Sequence, residues 1–111
     1  MRTFIAATSA VVLLASLPCL ALAQAAGTIT GVVTDQVDAV LPGATVEITS
    51  AATSQTRRAS SGSDGFYTVP LLQPGLYTVR VSLAGFRTTA REHVQVSVDS
   101  TARVDFSLLL A

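Results

Sequence analysis

After residue 24 the chain alternates apolar and polar residues, and turn chemistry interrupts the alternation at intervals of roughly 8–12 residues. No stretch there repeats apolar side chains at helical spacing for three turns. The pattern predicts a series of short strands. The first lies near Thr28–Thr34, with Ile29, Gly31 and Val33 on one face. Asp35 then opens a connection that ends at Leu41-Pro42-Gly43, where proline fixes φ and glycine permits a turn. A second strand, Ala44–Ser50, sets Ala44, Val46 and Ile48 against Thr45, Glu47 and Thr49. The third, Thr56–Ser60, is a polar strand that suits a sheet edge.

Gly62-Ser63-Asp64-Gly65 is the strongest tight-turn signal, and it leads into Phe66-Tyr67-Thr68-Val69. A fifth strand alternates Tyr77, Val79, Val81 and Leu83 with Thr78, Arg80 and Ser82. Beyond Ala84-Gly85, Val94, Val96 and Val98 oppose His93, Gln95, Ser97 and Asp99. The last strand sets Ala102, Val104, Phe106 and Leu108 against Arg103, Asp105 and Ser107. The expected core is therefore Ile29, Val33, Val46, Ile48, Tyr67, Val69, Tyr77, Val79, Val81, Leu83, Val94, Val96, Val98, Val104, Phe106 and Leu108. Each such side chain contributes about 1.5–3 kcal/mol when buried, against a backbone entropy cost of about 1–2 kcal/mol per residue. A chain this short must bury all of them together, so two sheets packed face to face are expected: an all-β sandwich.

The N-terminal segment has a different pattern. Of the first 23 residues, 17 are apolar, and no charge follows Arg2 until Asp35. Met1-Arg2-Thr3 supplies a positive end, Ala10–Leu17 a dense apolar run, and Ala21-Leu22-Ala23 the small-x-small pattern that a signal peptidase reads. Residues 1–23 are expected to be a signal peptide, cleaved after Ala23 or, at the second candidate site, after Ala25. Dilution with Ala, Ser, Thr and Pro18 argues against an uncleaved membrane anchor, and Pro18 beside Cys19 argues against a lipoprotein site. Residues 24–111 would then form an exported, cysteine-free domain with no transmembrane segment, in the periplasm or associated with the outer membrane.

Charge narrows the function. All seven basic residues are arginines; residues 24–111 hold six of them against seven Asp and Glu, a net of −1. A nucleic-acid binder would need a basic excess to displace counterions. One His and one Cys exclude a multi-ligand zinc site of the usual His/Cys kind.

The run Ile29-x-Gly31-x-Val33-x-Asp35, then Leu41-Pro42-Gly43-Ala44-x-Val46, resembles the opening of the carboxypeptidase regulatory-like domain. Asp64-Gly65-Phe66-Tyr67-Thr68-Val69-Pro70-x-Leu72-x-Pro74-Gly75-x-Tyr77-x-Val79 is similar to its middle, and Gly85-Phe86 and Val104-Asp105-Phe106-x-Leu108 to its close. The resemblance covers residues 27–108 and implies a seven-stranded Greek-key sandwich of the prealbumin or transthyretin-like kind, a carbohydrate-binding-like fold. An export signal followed at once by this module looks most like the N-terminal extension of TonB-dependent outer-membrane receptors with an Oar-like barrel. Asp38 stands where the family usually has glycine, and Asp adopts the left-handed conformation at modest cost.

The candidate sites are few. His93 with Asp99 and a serine is the sole conceivable triad, but alternation turns His93 outward and no strained turn presents a serine. Zinc-peptidase chemistry needs more than one histidine. Asp35, Asp38 and Asp64 could suggest calcium, yet they lack the alternating acidic ligands of a calcium loop and are ordinary turn formers. The arginines, Arg57-Arg58 included, read as a solvated face. Tyr67 and Tyr77 share the valine face and are expected in the core, each hydroxyl finding a partner. Phe66 has the opposite parity and is the one candidate binding residue. No catalytic, cofactor-binding or metal-binding residue is expected.

The sequence thus points to a non-catalytic interaction module that uses an exposed strand edge, such as the polar third strand, or a loop end to hold an envelope protein or a receptor barrel. The alternatives are a carbohydrate-binding module that stacks a glycan on Phe66, as some relatives of this sandwich do with starch-like glycans, and the N-terminal part of a longer TonB-dependent receptor.

Overall fold

A computed structural model describes residues 25–111; the expected leader and Cys19 lie outside the described residues. Eight strand segments follow one another: β1 (Gly27–Thr34), β2 (Thr45–Ser50), β3 (Thr56–Ser60), β4 (Phe66–Leu72), β5 (Gly75–Ser82), β6 (Thr89–Val96), β7 (Thr101–Arg103) and β8 (Phe106–Ser107). They form two four-stranded sheets. In the first, β1 is central, antiparallel to β4 on one side and parallel to β7 and then β8 on the other. The second runs β3-β2-β5-β6, antiparallel throughout. Since β7 and β8 are one strand interrupted at Val104-Asp105, the fold is the expected all-β sandwich with seven strands in effect.

The alternation drives this architecture. Ile29, Val33, Val46, Ile48, Val79, Val81, Val96 and Leu108 are all but sealed from solvent between the sheets. Ala44 and Leu72 join them, and Leu83, Leu41, Phe86 and Ala102 pack at the margin. One expected core residue is misplaced: Val98 is 47% exposed. β6 stops at Val96, and Ser97–Ser100 folds as a turn, closed by Ser100 N–H and Oγ donating to the Ser97 carbonyl, with Asp99 left-handed at φ 54°. Val98 therefore sits on a turn, where period-two parity no longer applies.

The turns follow from their side chains. Asp35 Oδ1 accepts from the N–H groups of Val37 (2.9 Å) and Ala39 (3.0 Å), and Asp38 takes φ 64°, the conformation that would otherwise ask for glycine. Gly65 has φ 77° and packs so closely under Val33 and Val40 that a Cβ would stand 2.8 Å from the Val33 carbonyl oxygen. Buried Ser61 closes the Leu41–Ala44 corner by donating to the Leu41 carbonyl (2.6 Å) and accepting from Ala44 N–H (2.9 Å).

Two arginines stay on the solvated face, as expected, yet each also makes a contact at an open side of the sandwich. Arg57 is the register partner of buried Ile48, so its side chain leaves the inner face of β3. Its Nη1 donates to the carbonyls of Pro70 (2.6 Å) and Leu71 (3.2 Å) on β4. On the opposite side a bulge in β6, with His93 at φ 59°, shifts the register and pairs Arg91 with buried Val79. Arg91 then lies over the Phe106 ring, 5.5 Å from its centroid. Arg58 stays outside, bonded to Glu47 at 3.1 Å.

Candidate functional site

The most distinctive surface feature begins with a glycine on the wrong face. Gly31 points into the core between Ile29 and Val33, where an apolar side chain would ordinarily sit. The space is taken by backbone: a Cβ on Gly31 would stand 1.8 Å from the Val104 carbonyl oxygen. That carbonyl has turned inward, and the buried Tyr67 hydroxyl donates to it. Turning the peptide breaks the last strand into β7 and β8. At the break Val32 N–H lacks a backbone carbonyl opposite, and Asp105 Oδ1 accepts from it instead, at 2.9 Å. The Asp105 carboxylate is thereby fixed to the outer face of the first sheet.

That face carries the candidate binding residue. Phe66 opens β4 opposite Val32, and its ring is 43% exposed. The Arg103 guanidinium lies 5.7 Å from the ring centroid, a cation–π distance. Arg103 Nε also donates to both Asp105 oxygens, at 3.2 and 3.1 Å. Thr30 and Thr68 continue the face beside them, their hydroxyls 3.1 Å apart. An aromatic ring, a guanidinium, a carboxylate and two hydroxyls thus share one surface. Such a set can stack on an apolar ring face and hydrogen-bond its polar rim. As an isolated exposed pair, Arg103 and Asp105 add little to stability.

Phe66 is where parity places it. Arg103 and Asp105 are outward on alternation as well, but their meeting with Phe66 is a consequence of the parallel pairing of β1 with β7 and β8. Gly31, an inward glycine in a valine row, was the available signal that a backbone carbonyl intrudes there.

The other candidates separate. His93 sits in the β6 bulge and Asp99 in the Ser97–Ser100 turn, both exposed. Asp35 and Asp64 spend their carboxylates on turn N–H groups, Asp64 on Phe66 N–H at 3.1 Å. Among the described residues no group of three or more His, Cys, Asp or Glu could hold a metal ion. No described helix is long and apolar enough to cross a membrane. Strand pairing at the second sheet's edges is blunted by the inward Arg57 of β3 and by the β6 bulge.

Tyr67 has a measurable signature. Burial pushes its phenol well above the usual tyrosine range, the nearby Asp105 charge adds to this, and Arg91 opposes it. A raised folded-state value means that the unfolded chain releases this proton first. Its contribution is present below about pH 10, the ordinary tyrosine value, and is lost as pH rises further. Tyr67→Phe leaves the Val104 carbonyl without its donor, so a loss of about 1–3 kcal/mol at neutral pH is expected. In denaturant titrations from pH 8 to about 11 the variant should also fall less steeply than the unaltered chain. Parallel curves would refute the assignment.

The Bacillus anthracis TIE protein contains a similar unit, with 18% identity and a TM-score of 0.67 over 78% of this chain and 17% of that one. A carbohydrate-binding candidate from Bacteroides uniformis matches with 17% identity and a TM-score of 0.59, covering 73% of this chain and 40% of the other. The group B streptococcus pilus 2b backbone protein matches with 17% identity and a TM-score of 0.58, covering 77% and 41%. Dioxygenases share the fold at 9 and 10% identity, a likeness of fold alone. The chain thus spans less than half the length of the TIE, carbohydrate-binding and pilus proteins that it matches. No curated protein matches it in sequence. The model of the carboxypeptidase regulatory-like domain matches residues 28–109, nearly the whole sandwich, and the chain belongs to that family.

Proposed function

We propose that this chain is an exported, non-catalytic recognition module of the cell envelope, and that it binds through the outer face of the β4-β1-β7 sheet. One observation carries the choice of face: Phe66 is 43% exposed among Arg103, Asp105, Thr30 and Thr68, while the strand edges of the second sheet are blunted. Export to the periplasm or outer membrane is supported by the leader pattern of residues 1–23. The order of leader and module is similar to that of TonB-dependent receptors, in which reading the module would serve a receptor barrel as an N-terminal accessory domain.

For the ligand, the ring beside a guanidinium–carboxylate pair favours a glycan. The aromatic face meets the C–H face of a sugar, and the charged pair meets its hydroxyls. The likeness to a carbohydrate-binding candidate supports the same class. The test is retention on a glycan panel alongside capture from envelope extract, with Phe66→Ala as the discriminating variant. Its half-exposed ring predicts a stability change within about 1 kcal/mol and a loss of binding of roughly tenfold or more. If Phe66→Ala binds every ligand as the unaltered chain does, this face is not the site. Phe66-dependent capture of a protein with no glycan retained would make the module a protein binder.

A further inference from the structure

A second concave feature lies where β2 and β4 end and β3 and β5 begin. A pocket of about 160 Å³ opens there, floored by Ile48, Leu72 and the ring of Tyr77. Its rim is formed by polar residues, Ser50, Thr53, Gln55 and Gln73. Its one charge is Arg57, and no carboxylate lines the pocket. Among the described residues both ion pairs involve other arginines.

The strand geometry around the pocket is strained. Two steps along β1, from Gly27 to Ile29, oppose three along β4, from Leu72 to Val69, so β4 bulges at Pro70-Leu71. Leu71 is held at φ 59°, a conformation bulky residues avoid, with its side chain 77% exposed at the rim. Arg57 Nη1 braces the bulge by donating to both carbonyls, which fixes the guanidinium plane. A guanidinium has five N–H donors, and this brace engages Nη1 alone. An exposed leucine held in the left-handed region by an arginine is local strain of the kind that collects at ligand sites.

We propose that this pocket binds a single acidic sugar, a hexuronic acid or its glycoside, with Arg57 on the carboxylate. One positive and no negative group in the lining favours an anionic ligand over a neutral one. The fork of a guanidinium matches a carboxylate better than an ammonium would. The amides and hydroxyls of the rim suit ring hydroxyls, and the apolar floor suits the C–H face. At about 160 Å³ the pocket is smaller than ordinary ligand clefts, which suits one sugar ring rather than an oligosaccharide. This site lies at the far end of β4 from Phe66, so it is independent of the sheet-face reading.

The test is an amide-resolved NMR titration of the full chain with glucuronate and galacturonate, against glucose and acetate. Perturbations are expected around Ser50, Gln55, Leu71 and Gln73, with glucuronate or galacturonate bound at least tenfold more tightly than either control. Gln55→Ala/Gln73→Ala removes two exposed amides and should weaken binding roughly tenfold with the fold intact. Arg57→Lys keeps the charge but loses the fork, and should bring uronate and glucose affinities closer together. Phe66→Ala should leave all of this unchanged. Glucose bound as well as the uronates, perturbations confined elsewhere, no uronate binding at millimolar concentration, or unaltered binding by both pocket variants would each overturn the proposal.

Discussion

Gly31→Ala is expected to prevent folding, or to lower stability by about 3 kcal/mol or more. The added Cβ would stand 1.8 Å from the Val104 carbonyl oxygen, 2.7 Å from its carbon and 2.8 Å from the Tyr67 hydroxyl oxygen. None of these can move alone. The Val104 N–H donates to Thr30 on β1 at 2.8 Å, and the Tyr67 ring is wedged in the core, 2% exposed. Relief would require swinging the Val104 peptide outward, which breaks the Tyr67 bond and displaces Asp105 from Val32. Gly62→Ala makes the contrast. Its Cβ would meet nothing nearer than Asp64 Oδ1 at 3.3 Å, and a cost of about 1 kcal/mol or less is expected. Urea titrations of the two variants check this; equal, small losses would show that the inward carbonyl is not fixed.

Ile48→Ala is the second large effect, a loss of about 2–5 kcal/mol. Ile48 is 1% exposed in the middle of β2, with Arg57 of β3 and Val79 of β5 as its register partners. Truncation removes three carbons from the contact between the sheets and leaves a cavity that the flanking ladders prevent from collapsing. The denaturant midpoint should fall while the slope, which reports the surface exposed on unfolding, stays the same. A loss below about 1 kcal/mol would mean that the sheets do not close on this residue.

Most of this fold was legible because alternation is a direct report of which face is buried. Val46 and Ile48 of β2 and Tyr77, Val79 and Val81 of β5 follow it. It failed where a residue is added or the strand ends. Val98 kept its parity in the sequence after β6 had already turned, and the bulge at His93 carried Arg91 to the inner side, where alternation counted back from Val94 would not place it. Arg57 was hidden for another reason: an inward arginine on a polar edge strand has no pattern of its own, and its partners are carbonyls on a strand ten or more residues away. Phe66 was readable from its own strand. Arg103 and Asp105 were not readable as its neighbours, since alternation within a strand says nothing about which strands lie side by side. The pocket braced by Arg57 was likewise invisible, because its lining comes from the ends of four strands and the loops that join them.

In the proposed function the interrupted last strand presents Phe66, Arg103 and Asp105 as one recognition surface. The direct measurement is an amide-resolved NMR map of the unaltered chain titrated with whichever glycan or envelope protein the binding screen retains through Phe66. Perturbations should centre on Val32, Phe66, Thr68, Arg103 and Asp105, and should vanish in Phe66→Ala. Perturbations running along β3 or β6, with this face silent, would contradict it and return recognition to the strand edges.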